Sequence, residues 1–211
     1  EKMSNLLGDV PVYSIVAEFV GTFLYQFIGG GCDANSVSTG LATAAIGNGL
    51  CLAAIMYATA GISGGHLNPA VSTAFVVTGR MGKKRYMWYC IAQVLGAIIG
   101  AMVLKLALPP AMDETPFTTT GSLSLSHPFQ VFFLEFICTF GLVYVFFAGS
   151  VDRNGTAKNA APLAVGLAVM SGVFAEGPFT GGSMNPARTL GPAIAFGLLK
   201  HVWVYLLATL G

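Results

Sequence analysis

The sequence predicts an all-α membrane protein: six transmembrane helices plus two re-entrant half-helices, in two inverted three-helix repeats. Three observations carry this. Of 211 residues, 55% are hydrophobic and only 9% charged, against roughly 25% charged in a soluble domain. Five apolar stretches approach the ~20 residues that cross a bilayer core of about 30 Å. The polar string GGHLNPA at 64–70 returns at 181–187 as GGSMNPA.

The spans are expected at about Val12–Gly31, Leu41–Ala60, Tyr86–Leu108, Pro128–Ser150 and Ala160–Gly177. A sixth begins near Leu198 and meets the end of the sequence at Gly211, so the chain is expected to stop inside its last helix. The first span is too long for the apolar core of a signal peptide and reads as retained. Asn68–Thr78 and Asn185–Phe196 are too short to cross and fit re-entrant segments. Arg80, Lys83, Lys84 and Arg85 flank the third span, and Arg153 and Lys158 separate the fourth from the fifth. By the positive-inside rule both loops are cytoplasmic, and so are both termini of a multi-pass protein. The stretch with Asp113 and Glu114 then faces outward.

Adding 117 to a residue number maps Glu18, Phe19, Thr22 and Phe23 onto Glu135, Phe136, Thr139 and Phe140, and Asn68-Pro69-Ala70 onto Asn185-Pro186-Ala187. No insertion is needed from Glu18 to Ala70, and Glu, Asn and Pro coincide far less readily by chance than leucines do. The expected organisation is one domain over 1–211, with repeats at about 10–108 and 128–211 joined by a linker at 109–127. Three spans per repeat invert the second copy, and interrupted segments at matching places in inverted halves point to a site near the midplane.

Asparagine is a favoured N-cap and proline is suited to the first helical position. Each motif therefore starts a short helix whose positive end points to the middle of the membrane. A water there meets the amide donors of Asn68 and Asn185, turns its hydrogens outward, and breaks a proton wire, while the same field repels cations. The plain alternative is that both asparagines merely cap buried helices; the duplicated offset favours the pore.

The strings SGGHLNPAV and TGGSMNPAR, with AEFVGT in the first span and AQVLGAIIGA in the third, resemble the aquaporin, or major intrinsic protein, family across nearly the whole chain. The resemblance implies an hourglass channel, assembled as a homotetramer with one pore per subunit. In that family four positions line the narrowest point. Counted without gaps they are Asn48, Val173, Gly182 and Arg188. Strict water channels resemble this at Arg188 but carry bulkier groups at the first two positions, so the opening here is expected to be wider. It should admit urea, ammonia or glycerol as well as water. The filter is most similar to the tonoplast-type branch, whereas Leu206 after Tyr205 is similar to glycerol facilitators. A plasma membrane or a vacuolar-type membrane would suit such a protein.

Arg188 within the membrane is a functional candidate by default, although a structural arginine on a carbonyl is the bland reading. Glu18 and Glu135 invite a proton relay, but identical placement in both repeats suits acceptors for the loop backbones. His66 is a candidate pH gate, or a satisfied wall residue. Cys32, Cys51, Cys90 and Cys138 lie singly, with no metal-site spacing, and read as packing residues. No cofactor, metal or catalytic residue is expected, no nucleophile and base pair up, and no basic run beyond the Arg80–Arg85 loop is there to bind nucleic acid. The expected partners are the lipid bilayer, water and small uncharged solutes. A secondary transporter would need an Asp or paired acids facing the motifs, which the spacing does not supply; a structural junction protein is the third alternative.

Overall fold

The computed structural model describes residues 10–109, 127–152, 154–155 and 158–211. Asp113, Glu114 and Arg153, and most of the expected linker, lie outside the described residues. The fold is all-helical. In chain order the helices are α1 (Val12–Thr39), α2 (Leu41–Ser63), α3 (Pro69–Val77), α4 (Lys83–Ala107), α5 (Pro128–Ser150), α6 (Ala161–Thr180), α7 (Pro186–Phe196) and α8 (Val202–Leu210). A single 3-10 turn, Lys158–Ala160, leads into α6. Five helices, α1, α2, α4, α5 and α6, are long and apolar enough to cross a membrane.

The first helix carries polar groups inside and apolar ones outside. On α1, Val12, Val16, Val20, Leu24 and Ile28 are exposed, while Ser14, Glu18, Thr22, Tyr25, Gln26 and Gly29 are buried. Lipid tails are as apolar as leucine, so helices in a membrane associate through small residues, close packing and internal hydrogen bonds. The crossing of α2 and α6 shows this. A Cβ on Gly49 would lie 2.5 Å from the Gly166 carbonyl oxygen, and one on Gly166 would strike the Gly49 carbonyl in return. These glycines are equivalent in the two repeats, so the backbones meet at the centre of the duplication.

Packing follows the same exchange. α1 packs on α2 and α4, as α5 packs on α6 and α8, while α2 meets α6 across the middle. The short helices cross over: α7 lies against α4 of the first half, and α3 against α5 and α8 of the second.

The expected boundaries hold within a few residues at most places, with one departure. α1 runs to Thr39, eight residues past Gly31, through the polar string CDANSVST. Its 28 residues span about 42 Å at 1.5 Å each, more than the bilayer core alone requires. Hydroxyls of Ser36, Ser38 and Thr39 bond carbonyls three or four residues back and sustain the last turns. Gly40, with φ 92, ends the helix.

Candidate functional site

Both short helices begin as their sequences require. Asn68 and Asn185 are extended N-caps (φ −156 for each), and their Oδ1 atoms accept the Ala70 and Ala187 N–H groups at 2.8 and 2.9 Å. Pro69 and Pro186 occupy the first helical position, where no donor is missed.

The residue before each asparagine is strained. Leu67 and Met184 both have φ 50, rare for a side chain other than Gly, Asn or Asp, and both are fully buried. Each is clamped from two sides. The Leu67 N–H donates to Glu18 Oε2 at 2.7 Å, and its carbonyl accepts Asn185 Nδ2 at 2.9 Å. The Met184 N–H donates to Glu135 Oε2 at 2.8 Å, and its carbonyl accepts Asn68 Nδ2 at 2.8 Å. A buried acid of the same half and an asparagine of the opposite half thus hold each strained residue, as strain requires. The sequence aims both asparagine amides at the lumen; the structure divides them. One N–H of each is spent on the opposite loop.

The two acids meet different surroundings. Glu18 also accepts from the Ser63 hydroxyl (2.5 Å), the His66 N–H (3.0 Å) and Gln93 Nε2 (2.8 Å). Glu135 accepts the Ser183 N–H at 2.9 Å. Four residues after Tyr205, as Gln93 is four after its counterpart Tyr89, stands Thr209, whose hydroxyl bonds the Tyr205 carbonyl of its own helix. Glu176, also fully buried, lies near Glu135 and beside the Cys138 thiol, and among the described residues no nitrogen or oxygen donor reaches either of its carboxyl oxygens.

Asn68 and Asn185 line one narrow cavity of about 10 Å³ together with Tyr25, Val71, Val165 and Val169. That is room for roughly one water. A wider cavity of about 600 Å³ lies beyond it and shares Met56, His66 and Phe146 with it. His66 is buried; its Nδ1 lies 3.0 Å from Ser72 Oγ, and its ring meets Phe75, Tyr89 and Phe146.

The four expected filter residues come together in two pairs. Gly182 has φ 66, and a Cβ there would sit 3.0 Å from Val173 Cγ2, so its bare backbone faces Val173. Asn48 Oδ1 accepts from an Arg188 Nη, a contact that Gly29 permits because a Cβ there would strike the same oxygen.

Asp33 joins this second pair. Its Oδ2 lies 2.8 Å from Arg188 Nη2 and its Oδ1 accepts Asn48 Nδ2 at 2.6 Å, the only salt bridge among the described residues. Tyr25 adds its hydroxyl 3.3 Å from Arg188 Nη1. The expectation that no aspartate reaches the motifs is corrected here: Asp33 does, because α1 continues past Gly31. One signal was readable. Glu18, Thr22, Tyr25, Gly29 and Asp33 fall on one helical face if the helix is extended.

Residues 10–210 match the family model described as Major intrinsic protein. A curated relative, the probable aquaporin TIP2-2 of Oryza sativa subsp. japonica, is 37% identical over 97% of this chain and 84% of its own length. Aquaporin TIP2-1 of Arabidopsis thaliana is 38% identical over 90% of this chain and 78% of its own. Among solved structures, the aquaglyceroporin from Plasmodium falciparum superposes with a TM-score of 0.82 at 29% identity, covering 95% of this chain and 91% of that one.

Proposed function

The chain belongs to the major intrinsic protein family, and from that premise we propose a passive channel for water and small neutral solutes that rejects protons and ions. The single observation that carries this reading is the shared one-water cavity between two asparagine-capped helix starts. A water there accepts the remaining N–H of Asn68 and of Asn185, so its own hydrogens point away along the file. It donates to neighbours on both sides and accepts from neither, which interrupts proton hopping. The positive ends of α3 and α7 oppose cations at the same point.

Asn48, Val173, Gly182 and Arg188 form the filter. Val173 against the bare Gly182 leaves more room than an aromatic or histidine would, which favours urea, ammonia and glycerol beside water. The aquaglyceroporin likeness and Leu206 lend glycerol its place. The assembly is a homotetramer in a vacuolar-type membrane, in keeping with the TIP-type relatives. Both termini and His66 face the cytoplasm, and the filter faces the opposite side.

The test is stopped-flow light scattering on reconstituted vesicles, with osmotic water flux measured beside urea, glycerol and ammonia uptake. Water flux well above empty vesicles is expected, without dependence on a proton or sodium gradient. Flux equal to empty vesicles refutes the channel, and gradient-driven saturable uptake indicates a transporter.

A further inference from the structure

We infer that Asp33 is a positioning and specificity-determining residue of the filter: it holds Arg188 to the channel wall, cancels its charge, and so tunes passage of neutral solutes relative to water. This rests on the filter reading above and adds to it a residue from a different helix.

The donor inventory comes first. A guanidinium has five N–H bonds and no acceptor. Here Nη1 serves Asn48 Oδ1 and the Tyr25 hydroxyl, while Nη2 serves Asp33 Oδ2. All three partners stand on α1 or α2, so the planar head is drawn toward that wall. Nε has no partner among the described residues. Asn48 cannot hold the arginine alone, since its own amide is fixed by Asp33 Oδ1 at 2.6 Å and the Ala44 carbonyl at 2.9 Å. Asp33 therefore fixes both of its neighbours, and removing it loosens both.

Charge comes second. An arginine with 3% of its side chain exposed would ordinarily present a full positive charge to the passage, but a carboxylate at 2.8 Å cancels most of its field at any distance larger than the pair itself. Asp33 is 12% exposed, so the compensating charge is also at the filter rather than deep in the protein. The result is a filter with no net charge. Asp33, the more exposed partner of the pair, offers a carboxylate edge beside the arginine, a pattern suited to neutral solutes that donate hydrogen bonds, such as amides. Cation rejection then falls mainly on the two asparagines and the helix ends.

The experiment uses full chains in vesicles, with osmotic water flux, urea flux and a dye-reported proton leak read together for the wild type, Asp33→Asn, Asp33→Glu, Arg188→Val and the double variant Asp33→Ala/Arg188→Val. Loss of one charged hydrogen bond corresponds to about tenfold. Asp33→Asn should lower the urea-to-water flux ratio by about that factor, because the freed guanidinium swings into the passage. Asp33→Glu should keep the wild-type ratio, and the double variant should recover urea flux while leaking protons no less than Arg188→Val. An unchanged ratio in Asp33→Asn overturns the inference. So does a double variant that stays closed to urea, since Asp33 would then support α1 rather than act through Arg188. If Asp33→Asn yields no folded channel, the double variant, which leaves no unpaired charge, decides alone. Wild-type water flux equal to empty vesicles overturns both this inference and the channel, whereas a conducting wild type with an unmoved ratio overturns only the role of Asp33.

Discussion

Asn48, Val173, Gly182 and Arg188 are the proposed filter; the residues 117 positions away are Val165, Met56, Gly65 and Val71. Tyr25, Gly29 and Asp33 near the arginine likewise correspond to Leu142, Phe146 and Ser150. The first set is thus built around an ion pair, whereas its counterparts are apolar and Met56 borders the wider cavity beside the His66, Phe75 and Phe146 rings. The residues that hold the loops have hardly diverged. Tyr89 and Tyr205 donate to the carbonyls of Ser63 and Thr180 at 2.7 and 2.6 Å, and the hydroxyls of Ser63 and Thr180 accept the Gly65 and Gly182 N–H groups at 3.1 Å each. His66 touches Ser72 as Ser183 touches Thr189. The repeats agree most closely where the loop backbones are held and least around the arginine.

The comparison breaks most severely at the buried acids. Glu18→Ala strands the His66 and Leu67 N–H groups and takes the stronger partner from the Ser63 hydroxyl and the Gln93 amide. At about 1–3 kcal/mol per stranded donor, against roughly 5–15 kcal/mol of total stability, little folded protein should remain. Glu135→Ala strands the Ser183 and Met184 N–H groups and removes the acid near Glu176, so it should be milder. Detergent-solubilised yield and thermal unfolding compare them, and equal losses would mean that the two halves carry the same load.

At the passage itself, Val173→Phe should cut urea and glycerol flux about tenfold and water flux less, as a change of pocket size does. Met56→Phe, its counterpart, should lower water and solute together, because the apolar end sorts nothing. Equal loss of both in Val173→Phe would put the filter elsewhere.

Two substitutions sharpen the asymmetry of the supports. Gln93→Ala removes bonds to Glu18 and Ser72 and should cost about 1–2 kcal/mol in unfolding, whereas Thr209→Ala should cost less than about 0.5 kcal/mol. Glu176→Thr gives the second half the residue found at Thr59 and removes a buried acid without a nitrogen or oxygen partner among the described residues. It should raise stability by about 1 kcal/mol, seen as a higher unfolding temperature. A fall would reveal a partner for the acid in the assembled protein.

The smallest effect is expected from His66→Ser, which installs the residue of the second loop. With His66 enclosed by three rings and bonded to Ser72, water flux should change little and show the same response across about pH 5 to 8 as the wild type. A pH response present in the wild type and absent in His66→Ser would make the histidine a gate.

Much of this was readable in the sequence because the signals are local. Asn-Pro fixes a helix start within one residue, and the gap-free offset carries that certainty from one half to the other. The two acids were readable as loop acceptors from their placement alone. Asp33 was readable only by continuing the first helix past Gly31, and CDANSVST has the composition of a loop; the arginine that donates to it lies 155 residues on. Glu176 escaped for a related reason: its counterpart, Thr59, is not an acid, so the repeat gave no sign of it.

The cross-clamp at Leu67 and Met184 bears on how the chain is made. Synthesis delivers the first loop to the membrane long before Asn185 exists, so its strained turn has only Glu18 to hold it. The second loop, on arrival, supplies the missing bond to Leu67 and receives its own from Asn68 in the same event. The centre of the pore is a closure step of biogenesis: neither half completes its own turn, and each finishes the other's.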